Sequence, residues 1–159
     1  MKHLVFSTAL CLGAVACGSS TSVKPDSTLL IRYSRVPTSV DSGAVRGLGA
    51  RSALVIRIAG AVVARGPADA RYSALPYVLR WDDLGPGEDP ERSVFIYVVD
   101  APTPEDSAFV ASLGAWPIET FPQWNMIGTI MRLGVVSRLG ERARFTRAEI
   151  GTDDNVPQP

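Results

Sequence analysis

Histidine and cysteine are almost absent from the sequence, and their positions exclude several kinds of active site. The 159 residues include one histidine, His3, and two cysteines, Cys11 and Cys17. After residue 17 the chain has no imidazole, no thiol and no means of forming a disulfide. This excludes Ser-His-Asp catalysis, Cys-His catalysis and histidine-ligated zinc from the rest of the chain. We therefore expect no enzymatic activity, no metal site and no cofactor.

An excess of charge of one sign and a long hydrophobic run are also missing. The chain has 16 basic and 16 acidic residues and no basic cluster. It therefore lacks the electrostatic footprint of a protein that binds nucleic acid or an anionic membrane surface. The longest apolar run, from Leu4 to Ala16, is shorter than the roughly 20 residues that a transmembrane helix needs. We expect no membrane-spanning helix and no nucleic-acid partner.

The first 16 residues have the pattern of a signal peptide. Lys2 precedes the apolar run, and small residues stand before Cys17. The segment AVAC, ending at Cys17, resembles the signal box of bacterial lipoproteins, and a polar tether follows it. This resemblance implies a lipid on Cys17 that anchors the protein to a membrane. An ordinary signal-peptidase site of the A-x-A type is the alternative.

We therefore predict an exported protein that is lipid-anchored to the cell envelope. Gly18, directly after the cysteine, resembles a signal for the outer membrane where the organism has two membranes.

Two segments at an offset of 65 residues (102 minus 37) resemble each other. Residues 29–50, LLIRYSRVPTSVDSGAVRGLGA, align without a gap with residues 94–115, VFIYVVDAPTPEDSAFVASLGA, and nine of the 22 positions are identical. Agreement of this kind indicates a duplicated structural unit.

The shared pattern predicts a strand, a capped helix and a helix stop. Thr38 and Thr103 are N-cap candidates, because each has an aspartate three residues later, at the positive end of the helix dipole. Each copy then continues with two strands around a turn at Gly60 or Asn125. A second helix, at 66–75 or 133–142, and a last strand complete each copy.

The predicted order is β-α-β-β-α-β twice, which is the ferredoxin-like arrangement. We predict an α+β fold of two tandem ferredoxin-like units with antiparallel sheets. The predicted segments are a signal peptide at 1–16, a lipidated cysteine and tether at 17–27, the first unit at 28–83, a linker at 84–92, the second unit at 93–150 and a disordered tail at 151–159.

The strand, the helix ending in L-G-A, the hairpin and the segment ALPYV (74–78) together resemble the propeptide inhibitors of subtilisin-type proteases. The resemblance covers each copy loosely, from Leu29 to Asp82 and from Val94 to Ile150. It implies a free-standing inhibitor-like domain pair and an extracellular protease as partner.

Five aromatic residues are candidates for contact with a partner, since aromatic residues often anchor interfaces: Trp81, Tyr97, Trp116, Phe121 and Trp124. For Trp116 and Trp124, which stand where the first copy has only Arg51 and Ala59, we favour simple core packing over contact with a partner.

Two groups of carboxylates also invite a functional interpretation. Asp41 and Asp106 have the residue type of an acid/base pair, but both occur where a helix N-terminus favours a carboxylate. The acidic residues at 82–91 have the oxygen ligands that calcium prefers, without the spacing of an EF-hand. We favour helix capping for the first group and solvated linker charge for the second.

Two hypotheses follow. The first is a protein-binding module at the cell envelope, which requires an exposed sheet face or strand edge. The second is a structural or accessory envelope lipoprotein whose two repeats pack on each other and bind no ligand. An enzyme is a remote third, because it would need a concave pocket with convergent acids.

Overall fold

The computed structural model describes residues 25–152, which form two four-stranded sheets and short helices. The predicted signal peptide, Cys17 and most of the tail lie outside the described residues. The elements of the first unit are β1 (Ser27–Tyr33), α1 (Ser39–Gly47), β2 (Ser52–Ile56), a 3-10 turn (Arg57–Ala59), β3 (Ala61–Gly66), a 3-10 helix (Ala70–Ala74) and β4 (Val78–Asp83).

The second unit repeats this order. Its elements are β5 (Glu91–Val98), α2 (Pro104–Ser112), β6 (Ile118–Phe121), a 3-10 turn (Pro122–Trp124), β7 (Met126–Arg132), α3 (Leu133–Val136) continued by a 3-10 helix (Ser137–Glu141), and β8 (Phe145–Ile150).

The strand order is β2-β3-β1-β4 in the first sheet and β6-β7-β5-β8 in the second, and every pair is antiparallel. This is the order of a ferredoxin-like sheet, in which the first strand lies between the third and the fourth. The predicted fold class is confirmed. We call the two halves unit 1 and unit 2.

Both predicted helix starts are confirmed. Thr38 and Thr103 have extended backbones and precede the helices, and each lies in a capping box with the aspartate three residues later. Pro104 occupies the first turn of α2, where its missing N–H leaves no hydrogen bond unmade. Gly49 and Gly114 follow the two helices with positive φ, as their positions predict.

The hairpins between β2 and β3 and between β6 and β7 are also built alike. Each passes through one 3-10 turn and then a residue in the left-handed region, Gly60 with φ 59° or Asn125 with φ 49°. Glycine and asparagine are the residues that accept this backbone most readily, so the pairing of the two positions was readable from the sequence.

The second helices are shorter than predicted, and the one in unit 1 is a 3-10 helix without any α-helical turn. Gly66 belongs to β3, and only the 3-10 helix Ala70–Ala74 forms before Pro76. Pro67 removes a backbone donor at the start of the segment, and the residue before Pro76 is confined to extended backbone. Unit 2 has one turn of α-helix and a 3-10 helix instead.

The two units pack on each other through different faces. In each sheet, one face packs against the unit's own helix, with Leu29, Ile31 and Val45 in unit 1 and Val94, Ile96 and Val110 in unit 2. The opposite face of the first sheet, which carries Leu30, Ile56 and Ala61, joins the core of unit 2.

The linker is held against both units. Leu84 is buried and its N–H donates to the Thr28 carbonyl, while Arg92 donates to the Leu84 carbonyl at 2.8 Å. The Gly134 N–H donates to a carboxylate oxygen of Asp89 at 2.7 Å. β5 begins at Glu91, so the last two residues of the predicted linker belong to a strand.

Among residues 25–152, no helix combines the length and the apolar character that crossing a bilayer requires.

Candidate functional site

The helix-free face of the second sheet carries an exposed group of aromatic side chains, which we call the open face. Along β5, the buried residues Val94, Ile96 and Val98 alternate with Phe95 and Tyr97, which point to the other side. Phe121 of β6 lies on this same side, and Trp124 stacks on it with ring centroids 5.6 Å apart and an interplanar angle of 27°. The open face is therefore defined by Phe95, Tyr97, Phe121 and Trp124.

Gly128 lies at the centre of the open face and makes its geometry possible. It pairs with Phe95 on one side and with Glu119 on the other. A Cβ atom at Gly128 would lie 3.1 Å from Cε2 of Phe121 and 3.5 Å from Cε1 of Phe95. Because glycine has no side chain, both rings can rest on the backbone of β7.

The open face is exposed to solvent. Trp124 is 62% exposed and Phe95 is 39% exposed. Isolated apolar residues at a surface are ordinary, but a contiguous aromatic group marks an interaction site more often than chance.

Unit 2 covers the equivalent face of unit 1 except at its β2 edge, where Leu54 is 40% exposed. At the offset of 65, Phe95, Phe121 and Gly128 correspond to Leu30, Ile56 and Val63. Leu30 and Ile56 have no exposed surface, and Val63 packs against the same cluster, which is made mainly of unit 2 residues. Arg32, at the position of Tyr97, donates to the Ile150 carbonyl of unit 2.

Charged groups line the β8 side of the open face. Arg147 lies 4.1 Å from the centroid of the Tyr97 ring and 3.0 Å from the Glu149 carboxylate. The Tyr97 hydroxyl donates to Glu149 at 3.2 Å. These exposed pairs contribute little to stability but fix the Tyr97 ring.

An open cleft of about 510 Å³ lies where the open face meets unit 1. Phe95 and Glu149 line one side of it, and Arg32 and Arg80 line the other. The two arginines share Asp82, at 3.6 Å and 3.5 Å. The charges across the cleft balance, so it has no strong preference for an ion of either sign.

The five aromatic residues predicted from the sequence do not form one set. Tyr97, Phe121 and Trp124 lie together on the open face. Trp116 precedes β6, and its side chain is 79% exposed. Its backbone N–H donates to the Ile130 carbonyl at 2.9 Å. Trp81 lies apart, on the helix side of the first sheet.

Trp81 is a packing residue of unit 1. Its ring meets Tyr72 edge-on with centroids 5.9 Å apart, and its indole N–H donates to the Ser73 hydroxyl at 3.1 Å. Trp81 pairs with Ile31, which faces α1, and this register turns its side chain toward the core. Trp81 therefore packs on the core of unit 1. The core packing expected for Trp116 and Trp124 is wrong, because both side chains are mostly exposed.

Phe95 was missed by the sequence interpretation, although a signal for it exists. The strict alternation of Val94, Ile96 and Val98 with Phe95 and Tyr97 places both aromatic residues on the non-core side of one strand. Gly128 has no side chain and therefore leaves room for an aromatic ring from a neighbouring strand.

The two helix-capping aspartates are bound as carboxylates. Asp106 is fully buried and accepts hydrogen bonds from the Thr103 N–H at 3.0 Å, from Arg142 at 2.5 Å and from Arg144 at 3.1 Å. Burial acts to raise the pKa of Asp106, but the hydrogen bonds from Thr103 and the two guanidinium groups outweigh it and lower the pKa to about 2.

Asp41 has the same role in unit 1. Burial acts to raise its pKa, and hydrogen bonds from Arg35 and Thr38 lower it below the ordinary value. Each aspartate belongs to a different unit and has its own arginine partner. The capping interpretation is confirmed for both.

The acidic residues at 82–91 point to separate partners. Asp82 faces Arg32 and Arg80, Asp89 accepts from the Gly134 N–H, and Glu91 lies 3.8 Å from Arg132. Within residues 25–152, no three carboxylate, thiol or imidazole groups lie close enough together to hold a metal ion.

Comparison of the chain with protein-family models, with curated proteins and with solved structures finds no match to any of them.

Proposed function

We propose that this chain is a non-catalytic, protein-binding module, exported and held at the cell envelope by a lipid on Cys17, whose partner binds the open face of unit 2. The observation that carries the proposal is the contrast between equivalent faces. Leu30, Ile56 and Val63 pack against unit 2, whereas on the equivalent face Phe95 is 39% exposed, Phe121 is half-buried and Trp124, stacked on Phe121, is 62% exposed.

The composition of the open face supports a protein partner. Aromatic side chains provide large contact area at a low cost in conformational entropy and are enriched among the residues that dominate binding energy. Here Phe95, Tyr97 and Phe121 lie on the strands β5 and β6, and Trp124 lies in the 3-10 turn that follows. Gly128 and the stack of Phe121 on Trp124 already hold the rings in place. A partner would therefore meet a preformed surface.

The partner is an envelope protein or an extracellular protease. The second possibility follows from the resemblance to propeptide inhibitors and is tested separately. The full-length protein is titrated against a panel of subtilisin-type proteases while residual activity is followed. Stoichiometric inhibition that Trp124→Ala weakens would identify a protease as the partner; full residual activity at excess protein would leave an envelope protein.

The alternative function is a structural or accessory envelope lipoprotein in which the units pack on each other and bind no ligand. Unit 2 covers most of the helix-free face of the first sheet, and this contact between the units supports the alternative function. That hypothesis has no role for an exposed aromatic face on the second sheet.

Site-specific crosslinking in cells tests the proposal. A photoreactive amino acid replaces Trp124 in one strain and Val40 in another, because Val40 is 77% exposed on α1, away from the open face. We expect a discrete crosslinked protein band from position 124 and none from position 40. Equal, diffuse crosslinking from both positions would contradict a binding role for the open face.

The lipid anchor is tested by Cys17→Ser. The unchanged protein should incorporate a labelled fatty acid and sediment with membranes, and Cys17→Ser should abolish both. A protein that is released from the cells without incorporating label would support the ordinary signal-peptidase site instead.

A further inference from the structure

We propose that the partner of the open face is unit 1 of a second copy of this chain, so that copies associate head to tail. This inference rests on the proposed function, because it names the protein that the open face binds.

The chain already contains one contact of this kind. The helix-free face of the first sheet is covered by unit 2, where the 3-10 turn Arg57–Ala59 contacts β8 and the 3-10 helix Ser137–Glu141. Leu30 and Ile56 are fully buried in the result. A helix-free face of this duplicated unit therefore binds the second helical segment and the last strand of a sister unit.

The corresponding surface of unit 1, which we call the receiving surface, consists of the 3-10 helix Ala70–Ala74 and β4. The last strands and second helical segments align at an offset of 67 (139 minus 72), which pairs buried Tyr72 with buried Leu139 and Trp81 with Ala148. Unit 2 uses its own equivalent surface to bind unit 1. In unit 1 the 3-10 helix exposes Ala70, Arg71, Ser73 and Ala74, while Leu79 and Arg80 of β4 line the clefts between the units.

The receiving surface carries an exposed large apolar side chain at the position that the internal contact predicts. Leu79, which corresponds to Thr146, is 68% exposed. Both residues line the groove between the units of one chain, together with the 3-10 turn Arg57–Ala59. The exposed part of Leu79 is the part that the turn Pro122–Trp124 of a second copy would contact.

Substitutions between the two units favour an apolar contact at these positions. The open face carries larger apolar side chains than its equivalent in unit 1, with Trp124 in place of Ala59 and Phe121 in place of Ile56. On the receiving surface, the exposed Ala74 stands in place of the charged Glu141, and Leu79 in place of the polar Thr146.

The symmetry of this contact differs from that of an ordinary dimer. The open face and the receiving surface are different surfaces on different units, so the contact is heterologous and leaves one of each free at the ends of the assembly. Head-to-tail association therefore extends beyond two copies unless rotation closes a ring. Face-to-face pairing of two open faces would stop at a dimer.

Two blocked variants test the proposal. Trp124→Glu disrupts the open face and leaves the receiving surface intact. Ala70→Arg blocks the receiving surface at an exposed position and leaves the open face intact. The masses of the full-length proteins are measured by sedimentation equilibrium in a neutrally buoyant detergent, and circular dichroism confirms that each variant is folded. Val40→Glu, at an exposed site outside both surfaces, is the matched control.

We expect the mass of the unchanged protein and of Val40→Glu to rise with concentration beyond that of a dimer. Each blocked variant alone should associate at least about tenfold more weakly than the unchanged protein. Trp124→Glu removes an aromatic anchor, and Ala70→Arg places a large charged side chain on the receiving surface. An equimolar mixture of the two blocked variants should form one-to-one dimers that do not extend, because each supplies the surface that the other lacks.

Two results would overturn the inference. One is a strictly monomeric unchanged protein at the highest concentration measured. The other is an Ala70→Arg protein that dimerises as well as the unchanged chain, which would show that open faces pair with each other. A monomeric protein that still gives a discrete crosslink from position 124 to a different protein in cells would refute self-association and leave the proposed function standing.

Discussion

Phe95 lies directly opposite Gly128 on the neighbouring strand, and a Cβ atom at position 128 would already be in van der Waals contact with its ring, 3.5 Å from Cε1. The Phe121 ring approaches the same glycine from β6, at 3.1 Å from the position of a Cβ atom. One glycine thus orders the two aromatic rings and, through Phe121, the Trp124 stack. The equivalent residue in unit 1 is Val63, which packs at the contact between the units.

Gly128→Val should disturb the open face without unfolding the protein. The added methyl groups must displace the Phe121 ring and with it the stack on Trp124, so the near-ultraviolet circular dichroism and the tryptophan emission should change. The free energy of unfolding should change by less than about 1 kcal/mol, because the rings lie at the surface and valine favours strands.

The spectral change is assigned by repeating the substitution in a Trp124→Phe background, where it should largely disappear. Gly140→Ala is the control, since no atom lies within 4 Å of the added Cβ. Unchanged spectra in Gly128→Val would show that the ring positions do not depend on this glycine.

Local sequence patterns predicted most of the secondary structure because each signal acts over a few residues. The capping boxes at Thr38 and Thr103 and the left-handed residues Gly60 and Asn125 are examples of such short-range chemistry. The duplication then allowed each half to support the interpretation of the other. The strand order followed from the sequence of elements.

The arrangement of the units could not be predicted from the same patterns. Leu30 and Phe95 are both apolar and occupy equivalent positions, yet one is buried by the sister unit and the other is exposed. That difference depends on contacts between residues more than 100 positions apart, such as Arg32 with Ile150. Trp81 was named as a candidate for partner contact, and no local sequence pattern indicates the strand register that turns its ring toward Tyr72.

Truncation of the two equivalent residues should have very different effects on stability. Leu30→Ala removes a fully buried side chain at the contact between the units and should cost about 2–5 kcal/mol. Phe95→Ala removes a partly exposed side chain and should cost about 1 kcal/mol or less, although it removes more atoms. Urea denaturation of both variants measures the difference. Equal losses would show that the open face is buried in solution.

The stability of the protein should fall in acid partly through Asp106. The pKa of this carboxyl is lowered from 3.8 in a model compound to about 2 in the folded protein. Its contribution is therefore fully present above about pH 4 and is lost as the pH falls toward 2. The shift corresponds to roughly 2 kcal/mol.

Asp106→Asn should reduce the loss of stability between pH 4 and pH 2 and should lower the stability at pH 7, where Arg142 and Arg144 bind the carboxylate. Asp41→Asn is the matched variant in unit 1 and should have a smaller effect, because Asp41 has one arginine partner. Chemical denaturation at a series of pH values measures both. An unaltered acid profile in Asp106→Asn would contradict this account.

The helix of unit 1 should be improved by a residue that unit 2 already has. Gly43 lies within α1, is exposed and has no atom within 4 Å of the position of a Cβ, and its equivalent in α2 is Ala108. Gly43→Ala should therefore raise the free energy of unfolding by about 0.5–1 kcal/mol, because alanine restricts the unfolded chain more and favours the helix. Ala108→Gly should lower the free energy of unfolding by a similar amount.

Gly49→Ala, by contrast, should be destabilising, because Gly49 has a φ of 104°. The urea midpoint of each variant, with an unchanged slope, checks the three signs. A loss of stability in Gly43→Ala would show that the glycine serves a contact made by α1 rather than weakening the helix.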